Sequence, residues 1–489
     1  MTELLARPVI YEVNTTTWLN GLSRAAGRTV TLGDVPAAAW DAITRPGIDA
    51  VWLMGVWERS KVGLNLVDES IRESFEQALP DLHDDDVVGS PYCVRRYVVE
   101  EALGGPEGLA AARSALADRG VLLVLDYVPN HVAPDHPWVL ETPEAFVRGD
   151  LEDLAADPKA WLAVGDQIIA RGRDPYFPPW PDVLQLNAFS TAARAAAVRT
   201  LSDIADQCDG IRCDMAMLPT NDVFAKTWGD RVGPAPAEDF WPTVLPALRA
   251  LHPGTVLIAE AYWDLEWELQ QQGFDYCYDK RLYDRVIGLD PSAVRDHLSA
   301  AVDYQNHLMR FLENHDEPRV ANELPNDAER AAAVVLATLP GATLWQEGQF
   351  EGRRTRPPVF LRRAPDEPID HELAAWYDEL VFTIAAEQVR TGTWTLAEPH
   401  GWPDNDSHRN LLAWSWTPAR GRRYLIVVNL SATPSQARVP LPWSDLRGRS
   451  HQLTELLNKQ TYHREGDELA AEGLFVSLPP WHHHLFAIE

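Results

Sequence analysis

Eight short apolar runs, many followed by a helical pattern, constrain the fold of this chain more than any other feature. The runs are continuous rather than alternating, which is typical of parallel strands buried on both faces. They span residues 8–13, 48–57, 120–131, 209–217, 254–263, 274–284, 308–319 and 341–349. Strands that alternate with helices predict an α/β protein built on a (β/α)8 TIM barrel.

Four of the intervening segments have clear helical signals. The segment at 105–120 is rich in Ala and Leu and ends at a glycine, and Ser190 is placed to cap a helix over 190–207. The segments at 327–339 and 370–389 have the same character. These segments predict the helices that cover the sheet.

Two regions depart from the repeating strand and helix pattern. Residues 132–187, rich in Pro, Trp and Asp, are too many for a loop and predict a subdomain inserted after the third strand. From 393 to 489 the pattern changes to short strands separated by turn residues, which predicts a C-terminal all-β sandwich domain. The catalytic barrel is then expected to comprise residues 1–131 and 188–392.

Composition and charge narrow the range of functions. A net charge of −29 argues against a nucleic-acid partner and against an anionic membrane surface, since both need a basic face. The first residues lack the basic and apolar regions of a secretory leader, and no apolar run is long enough to span a bilayer. The 4 cysteines have no metal-type spacing, so we expect reduced thiols in a cytoplasmic protein. The oligomeric state is not indicated.

The fourth apolar run contains a cation and an anion. In a strand, Arg212 and Asp214 project from the same face, because residues two apart lie on one side. A carboxylate in an apolar setting needs a partner. The pair is therefore either a structural ion pair or a nucleophile held in place, and this segment alone leaves both interpretations open.

Polar residues also end three other predicted strands. They are Asp126, Asn130 and His131 in run three, Glu260 in run five, and Asn314, His315 and Asp316 in run seven. Each one alone fits a turn or a helix cap. The carboxyl ends of barrel strands, however, meet at one rim, and several carboxylates around one pocket carry an electrostatic cost that is typical of a catalytic site.

Paired carboxylates are the groups that enzymes use to hydrolyse glycosidic bonds. We predict Asp214 as the nucleophile, which Arg212 keeps ionised and oriented. Glu260 is predicted as the acid, since its apolar strand raises its pKa. The remaining polar residues expected to bind sugar hydroxyls are Asp316, His131 and His315.

Four motifs in this order resemble the α-amylase family of glycoside hydrolases, family 13. They are DYVPNH at 126–131, GIRCD at 210–214, AEAYW at 259–263 and ENHDEPR at 313–319. The segment GSPYCVRRY at 89–97 is similar to one that precedes the third barrel strand in that family. The resemblance covers the barrel, and the set of motifs and its order are specific to the family.

The resemblance implies a retaining double displacement. Asp214 matches the nucleophile, Glu260 the acid/base and Asp316 the stabiliser of the transition state. Tyr92 matches an aromatic residue that stacks on the attacked sugar. The other matches around that sugar are His131, Arg212, His315 and Arg319. Asp126 is expected to support the site rather than to react.

Other positions match the family less closely. Asn130 matches a calcium ligand of many members, so calcium is left open although the chemistry requires no cofactor, and residues 132–187 contain no clear calcium loop. Asn187, at the end of PDVLQLN, is a further candidate site residue. Family α-amylases often carry Lys-His three and four residues after the nucleophile, where this chain has Met217 and Leu218. This departure puts the leaving-group subsite in doubt.

The sequence therefore predicts a retaining hydrolase of α-linked glucosides or short α-glucan oligosaccharides, including disaccharides. A transglycosylase, or a sucrose- or trehalose-type isomerase on the same scaffold, is an alternative that differs only in what intercepts the covalent intermediate. A non-catalytic carbohydrate-binding protein is an alternative of another class. Loss of a carboxylate is the expected sign of that class, and all three carboxylates are present.

Overall fold

The computed structural model describes residues 7–66 and 69–489, without the side chains of residues 69 and 70. The prediction that no secretory leader begins the chain falls partly on residues 1–6, which lie outside the described part. Eight parallel strands close a barrel in which sequential strands pair and the eighth pairs with the first. Strands one to eight of the barrel are Val9–Asn14, Ala50–Met54, Leu122–Tyr127, Gly210–Cys213, Val256–Ala259, Tyr276–Tyr278, Leu308–Arg310 and Ala342–Gln346.

The barrel strands are apolar on both faces because each face is buried against a different layer. In strand two, Ala50, Trp52 and Met54 pack inside the barrel, whereas Val51 and Leu53 pack in the layer between the barrel and the helices. This two-sided burial is the reason that the runs in the sequence are continuous. The predicted (β/α)8 barrel is confirmed.

Helices surround the barrel and connect its strands. The four helices predicted from the sequence are present, and the Ser190 side chain caps one of them by accepting a hydrogen bond from the Ala193 amide. In chain order, the helices of the barrel and its connections are Thr15–Ala26, Ala37–Ile43, Lys61–Leu64, Glu69–Ala78, Gly105–Ala117, Thr191–Ala205, Asn221–Trp228, Phe240–Leu251, Glu266–Gln271, Lys280–Ile287, Pro291–Leu298, Val302–Asn306, Val320–Glu323, Asn326–Thr338 and His371–Ala386. The segment after strand three contains the helices Trp138–Glu141 and Leu151–Ala156, and the C-terminal part contains the helix Gly466–Glu472.

Two connections on the strand-end side of the barrel contain sheets of their own. After strand two, Trp57–Arg59 pairs with Val94–Val99. Between strands three and four, His131–Val132 pairs with Leu184–Gln185, and a separate three-stranded sheet forms. The strands of that sheet, in spatial order, are Arg148–Gly149, Gln167–Ala170 and Trp161–Val164. The exact limits of the inserted subdomain, 132 and 187, stay predictions.

The C-terminal part of the chain is all-antiparallel, as the sequence predicts. A six-stranded sheet and a two-stranded sheet bury apolar side chains in one shared core. In spatial order, the strands are Thr393–Ala397, Leu411–Thr417, Arg423–Asn429, His483–Ile488, Ser450–Glu455 and Thr461–Glu465 in the first sheet, and Ser435–Val439 and Leu474–Leu478 in the second. Among the residues described, no helix has both the length and the apolar character needed to cross a membrane.

Candidate active site

Arg212 lies at the centre of the site and is wholly buried at the end of strand four. Its Nη1 donates a 2.8 Å hydrogen bond to Asp214 Oδ1, and its Nη2 lies 2.7 Å from Glu260 Oε2. Nη2 forms no hydrogen bond with any residue that the structure describes, so the second contact is an ion pair only. Three aromatic rings surround the guanidinium at 5.1, 5.4 and 5.6 Å, those of Trp52, Tyr92 and Tyr278. One cation therefore holds two carboxyl groups side by side.

Asp126 lies behind this pair and is also buried. Its Oδ1 is 3.6 Å from Arg212 Nη1, and its Oδ2 accepts a 3.1 Å hydrogen bond from the Gly55 amide. The backbone carbonyl of Asp126 accepts a further hydrogen bond from Trp57 Nε1 at 2.7 Å. These contacts join Arg212 to the connection that follows strand two.

The Glu260 carboxyl has an environment that favours its protonated form. Burial raises the pKa of Glu260 to about 7; Arg212 acts against this rise, and the charges of Asp214 and Asp316 add to it. Glu260 Oε2 accepts a 2.7 Å hydrogen bond from the Met215 amide. Glu260 at the end of strand five can therefore exist as an acid near neutral pH.

Burial and Arg212 also change the pKa of Asp214, the carboxyl group next to Glu260. Burial raises the pKa of Asp214 as well, but the charge and the hydrogen bond of Arg212 oppose that rise. The Tyr262 hydroxyl donates a 2.9 Å hydrogen bond to Glu260 Oε1. Both oxygens of Glu260 therefore have a hydrogen-bond donor, which fixes the orientation of the carboxyl group. Asp214 thus has the direct hydrogen bond to the cation, whereas Glu260 has the ion pair with Arg212 and two neutral donors, the Met215 amide and the Tyr262 hydroxyl.

His315 is buried and lies between the carboxylates of Glu12 and Asp316, and Asp316 is the third carboxyl group of the site. Its Nδ1 is 2.5 Å from Glu12 Oε1, and its Nε2 is 3.1 Å from Asp316 Oδ2 and 2.8 Å from the Tyr92 hydroxyl. Burial works against a charged ring, but Asp316 and Glu12 outweigh it and raise the pKa of His315 well above its usual range. We infer an imidazolium that donates from both nitrogens.

The charge on His315 keeps Asp316 ionised. Burial acts to raise the pKa of Asp316, but His315, followed by Arg212 and Arg356, lowers it to about 2. The Asp316 side chain is 49% exposed, so contact with solvent also favours its ionised form. Asp316 is therefore an anion that opens to solvent, in contrast to Glu260.

A cavity of about 240 Å³ lies over these groups. The predicted site residues that line it are Tyr92, His131, Asp214, Glu260 and Asp316. The rings of Tyr92 and His315 are stacked with their centroids 5.5 Å apart, so each ring holds the other in place. Burial lowers the pKa of His131 to about 4, which makes this histidine neutral. Arg212 and His315 do not line the cavity, but they contact lining residues: Arg212 binds Asp214, and His315 binds Tyr92.

A second cavity, of about 540 Å³, adjoins the first and shares Met215 with it. Tyr262, whose hydroxyl binds Glu260, and Trp263 line this second cavity together with Phe177. Met215 and Trp263 have φ angles of 40° and 65°, in the left-handed region that is strained for such side chains. The chain therefore holds two strained residues beside the acid, both facing the second cavity.

Arg319 and Asn187, which were predicted as site residues, line neither cavity. Arg319 is buried and bound to Glu313, and its Nη1 also donates to Gln346 Oε1 at 2.9 Å. Asn187 Oδ1 accepts a 3.0 Å hydrogen bond from the Phe189 amide, in the turn before the helix at Thr191–Ala205. Both side chains stabilise loops near the strand ends, and neither lines the cavity with the carboxylates.

Asn130 is engaged by another amide side chain. Its Oδ1, the oxygen that could bind calcium, accepts a 2.8 Å hydrogen bond from Gln185 Nε2, and its Nδ2 lies 3.3 Å from Gln185 Oε1. In the described ranges, no group of three or more His, Cys, Asp or Glu side chains could hold a metal ion. A hard cation needs several oxygens, so the residues around Asn130 do not fit a calcium site.

The two residues that replace Lys-His after the nucleophile face the protein interior. Met217 and Leu218 are 0% and 2% exposed. They pack in the core and line neither cavity.

Several residues of the site were not singled out from the sequence. They are Glu12, Trp180, Asp182, Tyr262 and Phe360. A lone carboxylate inside the first apolar run is the same signal that marked Asp214, so Glu12 could have been found in this way. Tyr262 lies within a recognised motif. Asp182 lies within PDVLQLN, the segment that pointed to Asn187, whereas Trp180 and Phe360 belong to long connections whose path no local pattern specifies.

Comparison with known proteins gives one curated relative. No protein-family model matches the chain. The chain is 25% identical over 446 residues to the alpha-amylase MalA of Haloarcula japonica, and the match covers 88% of this chain and 56% of that protein. The chain thus spans about half the length of the curated relative that it matches.

Solved structures extend the likeness over the whole fold. A noncanonic maltogenic alpha-amylase, AmyB from Thermotoga neapolitana, superposes with a TM-score of 0.70 at 18% identity, covering 99% of both chains. The cyclic alpha-maltosyl-(1→6)-maltose hydrolase of Arthrobacter globiformis gives a TM-score of 0.67 at 16% identity, again with 99% of both chains covered. At these identities the likeness is one of fold.

Proposed function

We propose that this chain, a member of the α-amylase family of glycoside hydrolases, hydrolyses α-linked glucosides or short α-glucan oligosaccharides with retention of configuration. The observation that carries the proposal is the Arg212 guanidinium, which holds Asp214 by one nitrogen and Glu260 by another. Carboxyl groups bound to one planar fork are close together. This arrangement favours the roughly 5–5.5 Å separation of a retaining pair over the roughly 6.5–9.5 Å of an inverting pair.

In the first step, Asp214 attacks the anomeric carbon while Glu260 gives its proton to the glycosidic oxygen. The bond to the leaving sugar breaks, and a covalent β-glucosyl ester on Asp214 forms. The raised pKa of Glu260, about 7, is what allows this residue to hold a proton before the step. Asp316, ionised beside His315, is placed to bind sugar hydroxyls as positive charge develops on the ring.

In the second step, Glu260 takes a proton from a water molecule, which attacks the same carbon. The ester bond to Asp214 breaks, and the sugar leaves with its original α configuration. A transglycosylase or an isomerase shares the first step and replaces this water by a hydroxyl group of a sugar. Hydrolysis is the reaction that we propose, because the second cavity is open to solvent at Phe177, which is 66% exposed.

The test is to incubate the protein with maltose to maltoheptaose, sucrose, trehalose and soluble starch, and to separate the products by chromatography. We expect hydrolysis products and a higher kcat/KM on the short substrates than on starch. Proton NMR of the first product should show the α-anomer. Initial release of the β-anomer contradicts the double displacement, and products longer than or isomeric with the substrate favour the transfer alternatives.

We also propose that the fold and the activity do not depend on calcium. The support is the Asn130–Gln185 pair, in which an amide takes the oxygen that a metal would need. Treatment with a chelator followed by dialysis should change neither the melting temperature nor kcat. A fall in either value that added Ca²⁺ restores contradicts this proposal.

A cytoplasmic location is proposed from the cysteines. All 4, which lie in the described part of the chain, are buried as free thiols. Fractionation of the source cells, followed by immunodetection, tests the location.

A further inference from the structure

The two adjoining cavities of the site are suited to hold different parts of the substrate. Met215 and Tyr262 both bind Glu260, the proposed proton donor, and both line the larger cavity. The larger cavity therefore lies on the side of the leaving group. The smaller one, with Asp214 and Asp316, holds the sugar that is attacked.

The smaller cavity has space for little more than that sugar. Its volume of about 240 Å³ is below the roughly 300–1,000 Å³ that pockets for drug-sized ligands occupy. Beyond the catalytic groups, the lining residues that it does not share with the larger cavity are Ser90, Trp180, Asp182, Val183 and Phe360. None of these residues lines the larger cavity, so we take them to bound the side of the smaller cavity that lies away from it, and we refer to them as the end wall.

The end wall is built from three long connections that are fastened to one another. The backbone of residue 88 donates to the Phe360 carbonyl at 2.8 Å, and residues 87 and 361 form an antiparallel bridge. Arg363 binds Asp86 and Asp81 at 2.8 Å each. The connection after strand eight is therefore held against the connection after strand two.

The third connection, the insertion after strand three, is fastened to the same rim. Cys93 Sγ donates to the carbonyl oxygen of Asp182 at 3.1 Å, and the Ala133 amide donates to the Val94 carbonyl at 3.0 Å. The ring of Phe360 also packs on Phe75 at 5.4 Å. Contacts on both sides thus keep the end wall in place.

The end wall contains a carboxyl group that the two-step chemistry does not use. Asp182 is 7% exposed and lines the cavity. Burial raises its pKa to about 6, and the nearby Arg171 acts in the opposite direction. A buried carboxyl group that faces a sugar-sized space is suited to accept hydrogen bonds from hydroxyls, because buried polar groups need a partner.

We propose that the end wall receives the free non-reducing end of the substrate, so that the enzyme removes single terminal glucosyl units and does not cut within a chain. Asp182 accepts hydrogen bonds from the hydroxyls of this terminal sugar, and Phe360 covers the path that a further sugar would take. The inference rests on the proposed function and adds to it the position of the cut.

The experiment compares two substrates that differ at one end. One is 4-nitrophenyl α-maltopentaoside, and the other is the same compound with an acetal across the 4- and 6-hydroxyls of its non-reducing sugar. We expect the wild-type protein to release glucose first from the free substrate. Its kcat/KM on the blocked substrate should be lower by at least about 100-fold, since the acetal removes hydroxyl contacts and adds bulk.

Variants of the end wall should weaken this discrimination. Phe360→Ala is expected to raise kcat/KM on the blocked substrate relative to the free one by about 10-fold, because it makes room for the added group. Asp182→Asn is expected to raise KM for the free substrate more than it lowers kcat. Phe382→Ala, an exposed phenylalanine on the outer helix His371–Ala386, is the matched control and should leave the ratio unchanged.

The outcomes separate this inference from the proposed function. Equal cleavage of both substrates by the wild-type protein, or first products from internal cuts, overturns the inference and leaves the hydrolase assignment intact. Failure to cleave the free substrate, maltose and 4-nitrophenyl α-glucoside alike overturns the proposed function and this inference with it. An unchanged ratio in both Phe360→Ala and Asp182→Asn, with normal melting temperatures, contradicts the role of the end wall.

Discussion

Two arginines on barrel strands are wholly buried, Arg212 inside the barrel and Arg310 between the barrel and the helices, and their surroundings differ in the number of carboxylates that share them. Arg212 on strand four contacts the carboxyl groups of Asp214, Glu260 and Asp126. Arg310 on strand seven contacts a single carboxylate, Asp279, at 3.3 Å. The first cation is shared by three acids, and the second is matched to one.

The carboxylate beside Arg310 is fully compensated. His297 Nε2 lies 3.0 Å from Asp279, and the Leu282 amide donates to it at 3.1 Å. Burial alone would raise the pKa of Asp279, but His297, its hydrogen bond and Arg310 lower it. None of these side chains lines the cavity that contains Asp214. This group is a structural ion pair.

The carboxyl groups beside Arg212 are not fully compensated, and the cavity lies over them. Burial raises the pKa of Glu260 to about 7 and Arg212, which serves several acids, only partly opposes this rise, whereas Asp316 depends on His315. In a structural ion pair, each buried charge is balanced by a partner of opposite charge. A catalytic cluster instead requires an acid that can give up its proton. The ratio of cations to carboxylates thus distinguishes the two groups, and substitutions within either group can break that distinction.

The largest expected effect is the loss of turnover when the shared acids are replaced. Glu260→Gln should lower kcat by about 10²–10⁴-fold, because it removes the proton donor. Asp214→Asn should lower it by at least about 10⁴-fold, because it removes the nucleophile. Both substitutions keep the shape of the side chain, so circular dichroism and the melting temperature should stay close to wild type.

Asp279→Asn is the matched control for these two variants, since it is the same substitution at the other buried arginine. It should lower the melting temperature and leave kcat of the folded protein close to wild type. A loss of kcat in Asp279→Asn equal to that in Asp214→Asn means that the distinction between the two arginines is wrong.

The second effect concerns stability. Arg310→Met should destabilise the protein by about 3–5 kcal/mol, because Asp279 then remains buried without its cation. Urea unfolding measures the change, and kcat below the transition should be unaffected. If stability is unchanged within about 0.5 kcal/mol, the ion pair of strand seven contributes nothing to the fold.

The third effect is on the pH dependence of catalysis. Glu260 must be protonated to act as the acid, and its protonated fraction falls as pH rises through a pKa of about 7, so kcat/KM should decline above that pH. Tyr262→Phe removes a donor to the carboxylate form, which raises the pKa of Glu260. The alkaline limb should therefore move to higher pH in this variant.

A pH profile of kcat/KM on 4-nitrophenyl α-glucoside measures the shift. Tyr462→Phe is the control, because its hydroxyl binds Gln460 in the C-terminal domain. If the alkaline limb of the profile moves to lower pH in Tyr262→Phe, the hydroxyl stabilises the protonated form of Glu260 instead. If the limb does not move, a group other than Glu260 sets the alkaline pH dependence.

The barrel and the grouping of the carboxyl groups at its strand ends were predictable because they depend on local patterns. Two-sided burial makes each barrel strand a continuous apolar run, and a charged residue inside such a run stands out, as Asp214 does. The sharing of Arg212 was not predictable, since it depends on where strands three, four and five end relative to one another. Likewise, Phe360 and Asp182 reach the cavity through long connections whose contacts are non-local. The engagement of Asn130 by Gln185 has the same cause, because 54 intervening residues fold back to bring the amides together.

The smallest expected effect is on the leaving group. Trp263 lines the larger cavity, and its ring lies 4.8 Å from that of Tyr176 at an interplanar angle of 73°. An aromatic face of this kind packs on the apolar face of a sugar, so Trp263→Ala should weaken a contact that contributes about 0.5–1.5 kcal/mol.

We therefore expect kcat/KM on maltose and maltotriose to fall by about 2–10-fold in Trp263→Ala, the change that this energy produces. The value on α-glucosyl fluoride should stay the same, because fluoride leaves without touching the larger cavity. Trp267→Ala is the control, since this tryptophan is 51% exposed and belongs to neither cavity. An equal fall on maltose and on the fluoride means that Trp263 acts through Glu260 rather than through the leaving sugar, and the larger cavity then does not bind the leaving group in the way proposed.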